Sequence, residues 1–351
     1  MAKNIKIQNK TIGNDCSPFI VAELSGNGNQ DLERTLKIVQ SAYDCGADAL
    51  KIQTYDENTI TLNSNLPDFI INNPKSLWAN KKLYDLYKEA KTPRDFHKPI
   101  FDKCKELGLI CFSTPFHESD VDYLEQNFNP DIYKIASFEL VHTPLLKYVA
   151  QTKKPVILST GMASYGEISD AVFALRDGGV EDIVLLKCVS SYPADAKNYN
   201  LKTIPFYKKD FNVLAGLSDH TIGTITAIAS VALGASVIEK HFTLNRLDGG
   251  VDSAFSAQPD ELKQLIIECK TAHSALGCVN YSVTEDEEKS LMFRRSVYAV
   301  KNINKDEPFT KDNIKIIRPG FGIEPKYYSY FINKKCKFDI VAGTPIHWYM
   351  I

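Results

Sequence analysis

The chain has 351 residues, 44% of them apolar, which is enough for one large core and a smaller second unit. Its 41 basic and 43 acidic residues leave a net charge of −2 without long single-sign blocks, so nucleic acid and anionic membrane are excluded as expected partners and small molecules are favoured. The 8 cysteines form no C-x-x-C pair, "MAKNIKIQNKTIGND" has no apolar leader, and "AIASVALGASVI" is too short to span a bilayer; the expectation is a reduced, cytoplasmic protein.

The first element is a hairpin-like "IKIQNKTIG" (5–13), placed to plug the floor of whatever follows. Eight short apolar runs come next: "PFIVAEL" (18–24), "ADALKIQT" (47–54), "LICFST" (109–114), "IYKIAS" (132–137), "PVILST" (155–160), "DIVLLKC" (182–188), "FNVLAGLS" (211–218) and "ASVIEKHF" (235–242). Segments of helical period separate them, such as "DLERTLKIVQSAYDCG" (31–46) with its terminal glycine. Eight such units predict an α/β fold, a (β/α)8 TIM barrel, with a doubly wound open sheet as the alternative. The stretch "YDENTITLNSNLPDFIINNPKSLWAN" (55–80) exceeds an ordinary loop and is a candidate lid over the barrel mouth. "LWANKKLYDLYKEA" (77–90) is expected to be an amphipathic helix. After "VNYSVTEDEEKS" (279–290), an expected solvated linker, the texture changes to short strands and turns. The expected division is a catalytic barrel over 1–283 and a linker with a small C-terminal domain over 284–351, small enough to need docking on something.

In a barrel, chemistry sits at the C-terminal ends of the strands. There the sequence places Glu23; Lys51 and Gln53; Ser113 and Thr114; Lys134, Ser137 and Glu139; Ser159 and Thr160; Lys187, Ser190 and Tyr192; Ser218, Asp219 and His220; Lys240 and His241. His220 and His241 close the seventh and eighth runs, which are neighbours in a barrel, about 5 Å apart. Two imidazoles at that spacing can share one metal ion and leave positions open for water and substrate, as Lewis-acid catalysis needs. Each histidine could instead cap its own strand, and Asp219 could orient one as an acceptor behind the metal. Lys51 and Lys134 interrupt apolar strands, where an unpaired ammonium is costly. With hydroxyls from Thr114, Ser137, Ser159 and Ser218 they suit a phosphate and a carboxylate. A Schiff base on either lysine, or a purely stabilising pair with Glu23 or Glu139, is the alternative. "SGNGNQ" completes neither a dinucleotide fingerprint nor a phosphate loop.

"AELSGNGNQDLE", "ALKIQTY", "FSTPF", "YKIAS", "STGM", "SYP", "GLSDHT", "IEKHFTL" and "RPGFG", in this order over essentially the whole chain, resemble the sialic acid synthase family. "LWANKKLYDLYKEAKTPRDFH" and "GGVDSAFS" are closer to its pseudaminic acid synthases than to its N-acetylneuraminate or legionaminate synthases. The resemblance implies condensation of phosphoenolpyruvate with an acetamido sugar on a TIM barrel that carries an antifreeze-like (SAF) domain. It implies a divalent metal ion (manganese, magnesium or cobalt) on His220 and His241, and catalytic roles for these two with Glu23 and Glu139. Phosphoenolpyruvate ligands fall on Lys51, Thr114, Lys134, Ser137, Ser159, Ser190 and Ser218. Sugar contacts fall on Gln53, Glu139, Tyr192 and Asp252, and Arg318 is the arginine that reaches into the partner subunit's site of a domain-swapped homodimer. Two departures stand out: Asn27-Gly28 where many relatives have Asn-His, and Ser190 where asparagine is common. Outside this reading stand a Schiff-base aldolase, a synthase of phosphorylated 3-deoxy sugar acids, and a carbohydrate- or ice-binding protein.

Overall fold

The computed structural model describes residues 2–74 and 76–351; Met1, and Lys75 within the candidate lid, lie outside the described residues. Eight parallel strands close into a barrel: β3 (Phe19–Glu23), β4 (Ala49–Thr54), β5 (Ile110–Pro115), β6 (Tyr133–Ile135), β7 (Val156–Ser159), β8 (Ile183–Cys188), β9 (Leu214–Asp219) and β10 (Val237–His241), with β10 returning to β3. Each apolar run of the sequence supplies one strand, and the open-sheet alternative is excluded by this closure. Buried on both faces, the strands put apolar side chains in and out in alternation. Ile20, Leu50, Leu158, Leu217 and Ile238 pack outward under the helices, while Phe19, Val21, Ile157, Leu214 and Val237 fill the interior.

Local chemistry fixes the helix ends. Leu32–Cys45 starts where Asp31 accepts from the Arg34 backbone N–H at 3.1 Å and stops at Gly46, whose φ of 89° is left-handed. Ser164 and Glu167 form a capping box that opens Tyr165–Asp177 after β7.

The hairpin of β1 (Ile5–Ile7) and β2 (Lys10–Ile12) pairs antiparallel, and Ile5, Ile7 and Ile12 join the interior cluster made by the N-terminal halves of the strands. The floor is therefore apolar and closed, and polar chemistry is confined to the opposite, C-terminal end. "LWANKKLYDLYKEA" departs from its expected form. The helix covers only Leu83–Ala90, and Trp78 lies in a turn before it.

The chain divides into Met1–Gly277 and Cys278–Ile351. Within the second unit, β11 (Ser296–Ala299) pairs antiparallel with β12 (Ile314–Ile317) around a core that includes Val297, Phe309, Phe331 and Ile346. The acidic stretch before it holds one exposed helical turn, Glu285–Glu288, boxed by Thr284 and Glu287. No helix among the described residues is long and apolar enough to cross a membrane, and all eight cysteines are free.

Candidate active site

Parallel register sets the polar ring. Glu23 lies level with Lys51 and His241, and Gln53 with Thr114. Lys51 Nζ stands 2.7 Å from Glu23 Oε2, 3.2 Å from Thr114 Oγ1 and 3.7 Å from Glu239 Oε1. Lys134 Nζ donates to Ser159 Oγ at 2.7 Å and lies 3.8 Å from the same Glu239 oxygen, which Ser218 Oγ approaches at 3.3 Å. The two lysines, two carboxylates and three hydroxyls form one buried cluster. Burial alone would strip the charge from Lys51, but Glu23 and Glu239 reverse that and raise its pKa. Burial wins at Lys134, whose pKa falls, and at Glu23, whose carboxyl is pushed up. The cluster is thus charge-balanced without ligand, and an incoming phosphate or carboxylate competes with Glu23 and Glu239 for the lysines.

A chain of hydrogen bonds runs from this cradle toward the histidines and ends at Asp252, short of His241. Gln53 Nε2 donates to Glu23 Oε1 at 2.9 Å and to Ser25 Oγ at 3.0 Å; Ser25 donates in turn to Asp252 Oδ2, which stands 4.0 Å from His241 Nδ1. The His220 and His241 ring centres are 5.3 Å apart. Tyr192 lies over His220 at 4.4 Å, and Phe255 closes the other side of His241 at 5.0 Å.

Two imidazoles bound to a common ion at about 2.1 Å with a tetrahedral angle have ring centres roughly 5 Å apart, so the observed pair fits one ion. Burial, then His220 and Lys51, hold His241 well below the ordinary imidazole range, and its buried Nδ1 has no hydrogen-bond partner. The Val189 carbonyl, 2.9 Å from His220 Nδ1, can only accept, so Nδ1 carries a proton and Nε2 is the nitrogen left for an ion. Burial works against the charged form of His220, but Cys188 and the Val189 carbonyl outweigh it and raise the pKa. Asp219 does not serve as acceptor behind a histidine. It takes the Thr221 N–H and hydroxyl and pairs with Lys240 at 2.7 Å, because residues adjacent to an inward position point outward. Lys240 joins it there, and Ser113 bonds Thr54 in the layer behind the strands. Among the described residues no group of three or more His, Cys, Asp or Glu side chains is arranged to hold a metal.

Ser137 Oγ accepts the Gly161 N–H at 3.0 Å, and a Cβ on Gly161 would stand 2.2 Å from Ser190 Oγ; both serines therefore crowd the "STGM" turn beside the cradle. Burial pushes the half-buried Glu139 up to about 7, against its own backbone N–H and Lys134, and leaves its Oε2 without a partner. Arg318 is exposed on the second unit. A Cβ on Gly28 would meet Thr35 Oγ1 at 2.5 Å, so a side chain there requires the Thr35 hydroxyl to move.

Sequence reasoning did not single out Glu239, Ser25, Cys188, Phe255 or Trp78. Glu239 was within reach: counting back two from His241 along a strand returns to the inward face. Cys188 follows the same alternation on β8; burial raises its pKa, but His220 overrides this and brings it to about 7. A cavity of about 540 Å³ opens at the other end of the barrel beside Lys3, Asp182 and Asn212, away from this convergence.

A buried lysine-hydroxyl cradle next to a histidine pair, at the C-terminal mouth of a parallel barrel, defines a lyase- or synthase-type site for an anionic substrate and a polarised carbonyl. The NeuB family profile matches residues 38–281 and the SAF domain profile residues 294–351. The pseudaminic acid synthase of Campylobacter jejuni is 44% identical over 95% of this chain and 98% of its own length. That of Helicobacter pylori is 41% identical over 94% of this chain and 96% of its own. The crystal structure of the N-acetylneuraminic acid synthetase from Leptospira borgpetersenii superposes with a TM-score of 0.73 at 30% identity, covering 83% of this chain and 96% of that one. The chain belongs to the NeuB family and combines its TIM barrel with a C-terminal SAF domain.

Proposed function

We propose that this protein is a pseudaminic acid synthase, condensing phosphoenolpyruvate with 2,4-diacetamido-2,4,6-trideoxy-L-altrose to a nine-carbon 2-keto acid and phosphate. The observation that carries this reading is the 44% identity to a pseudaminic acid synthase across nearly the full length of both chains. Synthesis of N-acetylneuraminate or legionaminate is the runner-up.

Lys51, Lys134 and the hydroxyls of Thr114, Ser137, Ser159, Ser190 and Ser218 hold the phosphate and carboxylate of phosphoenolpyruvate, the lysines supplying charge and the hydroxyls direction. Gln53, Glu139, Tyr192 and Asp252 orient the open-chain sugar so that its aldehyde carbon faces C3 of phosphoenolpyruvate. A divalent ion on His220 and His241 (manganese, magnesium or cobalt) supplies Lewis-acid polarisation of the aldehyde oxygen when bound. C3 forms the new bond to the aldehyde carbon as the carbonyl π bond breaks onto oxygen, which takes a proton from solvent to become a hydroxyl, and positive charge develops at C2. Water adds at C2, its proton taken by Glu139, with Glu23 as the other candidate base. The tetrahedral carbon then expels phosphate by breaking its C–O bond, leaving the ketone. Arg318, exposed on its own unit, reaches the sugar in the partner subunit's site of a domain-swapped homodimer, and the enzyme works in the cytoplasm.

Phosphoenolpyruvate carrying 18O in the bridging position tests the bond that breaks. This reading predicts all label in the released phosphate, seen by mass spectrometry or 31P shift. Label retained in the keto acid would contradict it and return the aldolase-like alternatives.

A further inference from the structure

Trp78, in the segment between β4 and the helix at Leu83, has no part in the proposed chemistry. The Trp78 indole donates through Nε1 to the Val251 carbonyl at 3.0 Å, 173 positions away in sequence, and its ring centre lies 5.7 Å from that of Tyr192. Val251 precedes Asp252, whose carboxylate faces Ser25 and His241; Tyr192 lies against His220. Trp78 thus stands one ring beyond the histidine pair, with Tyr192 between. Its only donor is committed to Val251, so the rest of its partly exposed ring surface is apolar.

We propose that Trp78 is a specificity-determining residue that walls the far end of the acceptor sugar and selects a tail ending in a methyl group over one ending in a hydroxymethyl. The inference rests on the proposed condensation, which fixes the aldehyde carbon at the histidines. From there a six-carbon chain runs outward past Tyr192, and its sixth carbon arrives at the indole. A methyl group gains contact with that face, whereas a hydroxyl there loses water and finds no free donor in the indole.

The test compares kcat/KM for the 6-deoxy sugar and its 6-hydroxy counterpart in the full-length protein, Trp78→Ala and Trp78→Phe, with KM for phosphoenolpyruvate measured alongside. The unmodified protein should prefer the 6-deoxy sugar by about 10- to 200-fold. Trp78→Ala should bring that preference to within about threefold while KM for phosphoenolpyruvate stays unchanged, and Trp78→Phe, which restores an apolar face without the Val251 bond, should recover most of it. An undiminished preference in Trp78→Ala overturns the inference, as does a parallel rise in KM for both substrates, which would mark a merely structural role. Absence of turnover of the 6-deoxy sugar by the unmodified protein would overturn the proposed function and this inference together.

Discussion

At the scale of single residues the site is governed by which charges burial allows. Glu139 ionises near neutrality, because burial lifts its carboxyl to about 7 while its own backbone N–H and Lys134 only partly offset the cost. Below that pH it holds its proton and cannot accept one from water; above it, it can. Turnover at saturating substrates should therefore rise with pH through about 7, and Glu139→Gln should flatten that limb and lower kcat by about 10²- to 10⁴-fold. The same rising limb persisting in Glu139→Gln would assign the proton to another group, Glu23 first. Much of this constellation is legible in the sequence, because lysines inside apolar strands and histidines at strand ends are exceptions to the surrounding pattern. Glu239 is harder to read because it lies within its strand and not at the end, while Lys240 and Asp219 sit at strand ends that alternation turns outward. Trp78 left no trace of its position, since its contacts to Tyr192 and Val251 cross long stretches of chain.

At the scale of elements, the barrel separates stability from chemistry along its axis. The hairpin β1–β2 puts Ile5, Ile7 and Ile12 against the starts of the strands, far from the polar ring at their ends. Ile7→Ala should cost about 2 to 5 kcal/mol in urea unfolding, the range for truncating a fully buried aliphatic side chain, and leave kcat/KM of the folded protein unchanged. A loss below about 1 kcal/mol would mean the hairpin is an ornament and not the floor. Eight strands were readable because parallel strands buried on both faces are continuous apolar runs. The segment before Leu83 was not, since its aromatic spacing suits a helix while Trp78 and its neighbours serve a turn held by tertiary contacts. Helix ends, by contrast, were announced by single residues such as Gly46.

At the scale of the whole molecule, the second unit, Cys278–Ile351, has its own small core and an exposed arginine at position 318. Its change of texture after residue 290 was visible in the sequence, but nothing in spacing or composition said what it does; that part rests on family resemblance. If Arg318 completes the partner subunit's site, Arg318→Ala should chiefly raise KM for the sugar, and mixing it with an inactive His241→Ala chain should restore activity, up to about a quarter of the unmodified level. No recovery after subunit exchange would mean that each site is completed within one chain.

The central claim is tested most directly by measuring phosphate release from phosphoenolpyruvate, with manganese or with a chelator, in the presence of 2,4-diacetamido-2,4,6-trideoxy-L-altrose, N-acetylmannosamine or the legionaminic acid precursor. Metal-dependent release with the altrose sugar, and none with the other two, is the expected result. Release that survives chelation, or that occurs only with another sugar, would contradict it, the first striking the histidine-bound ion and the second the identity of the product.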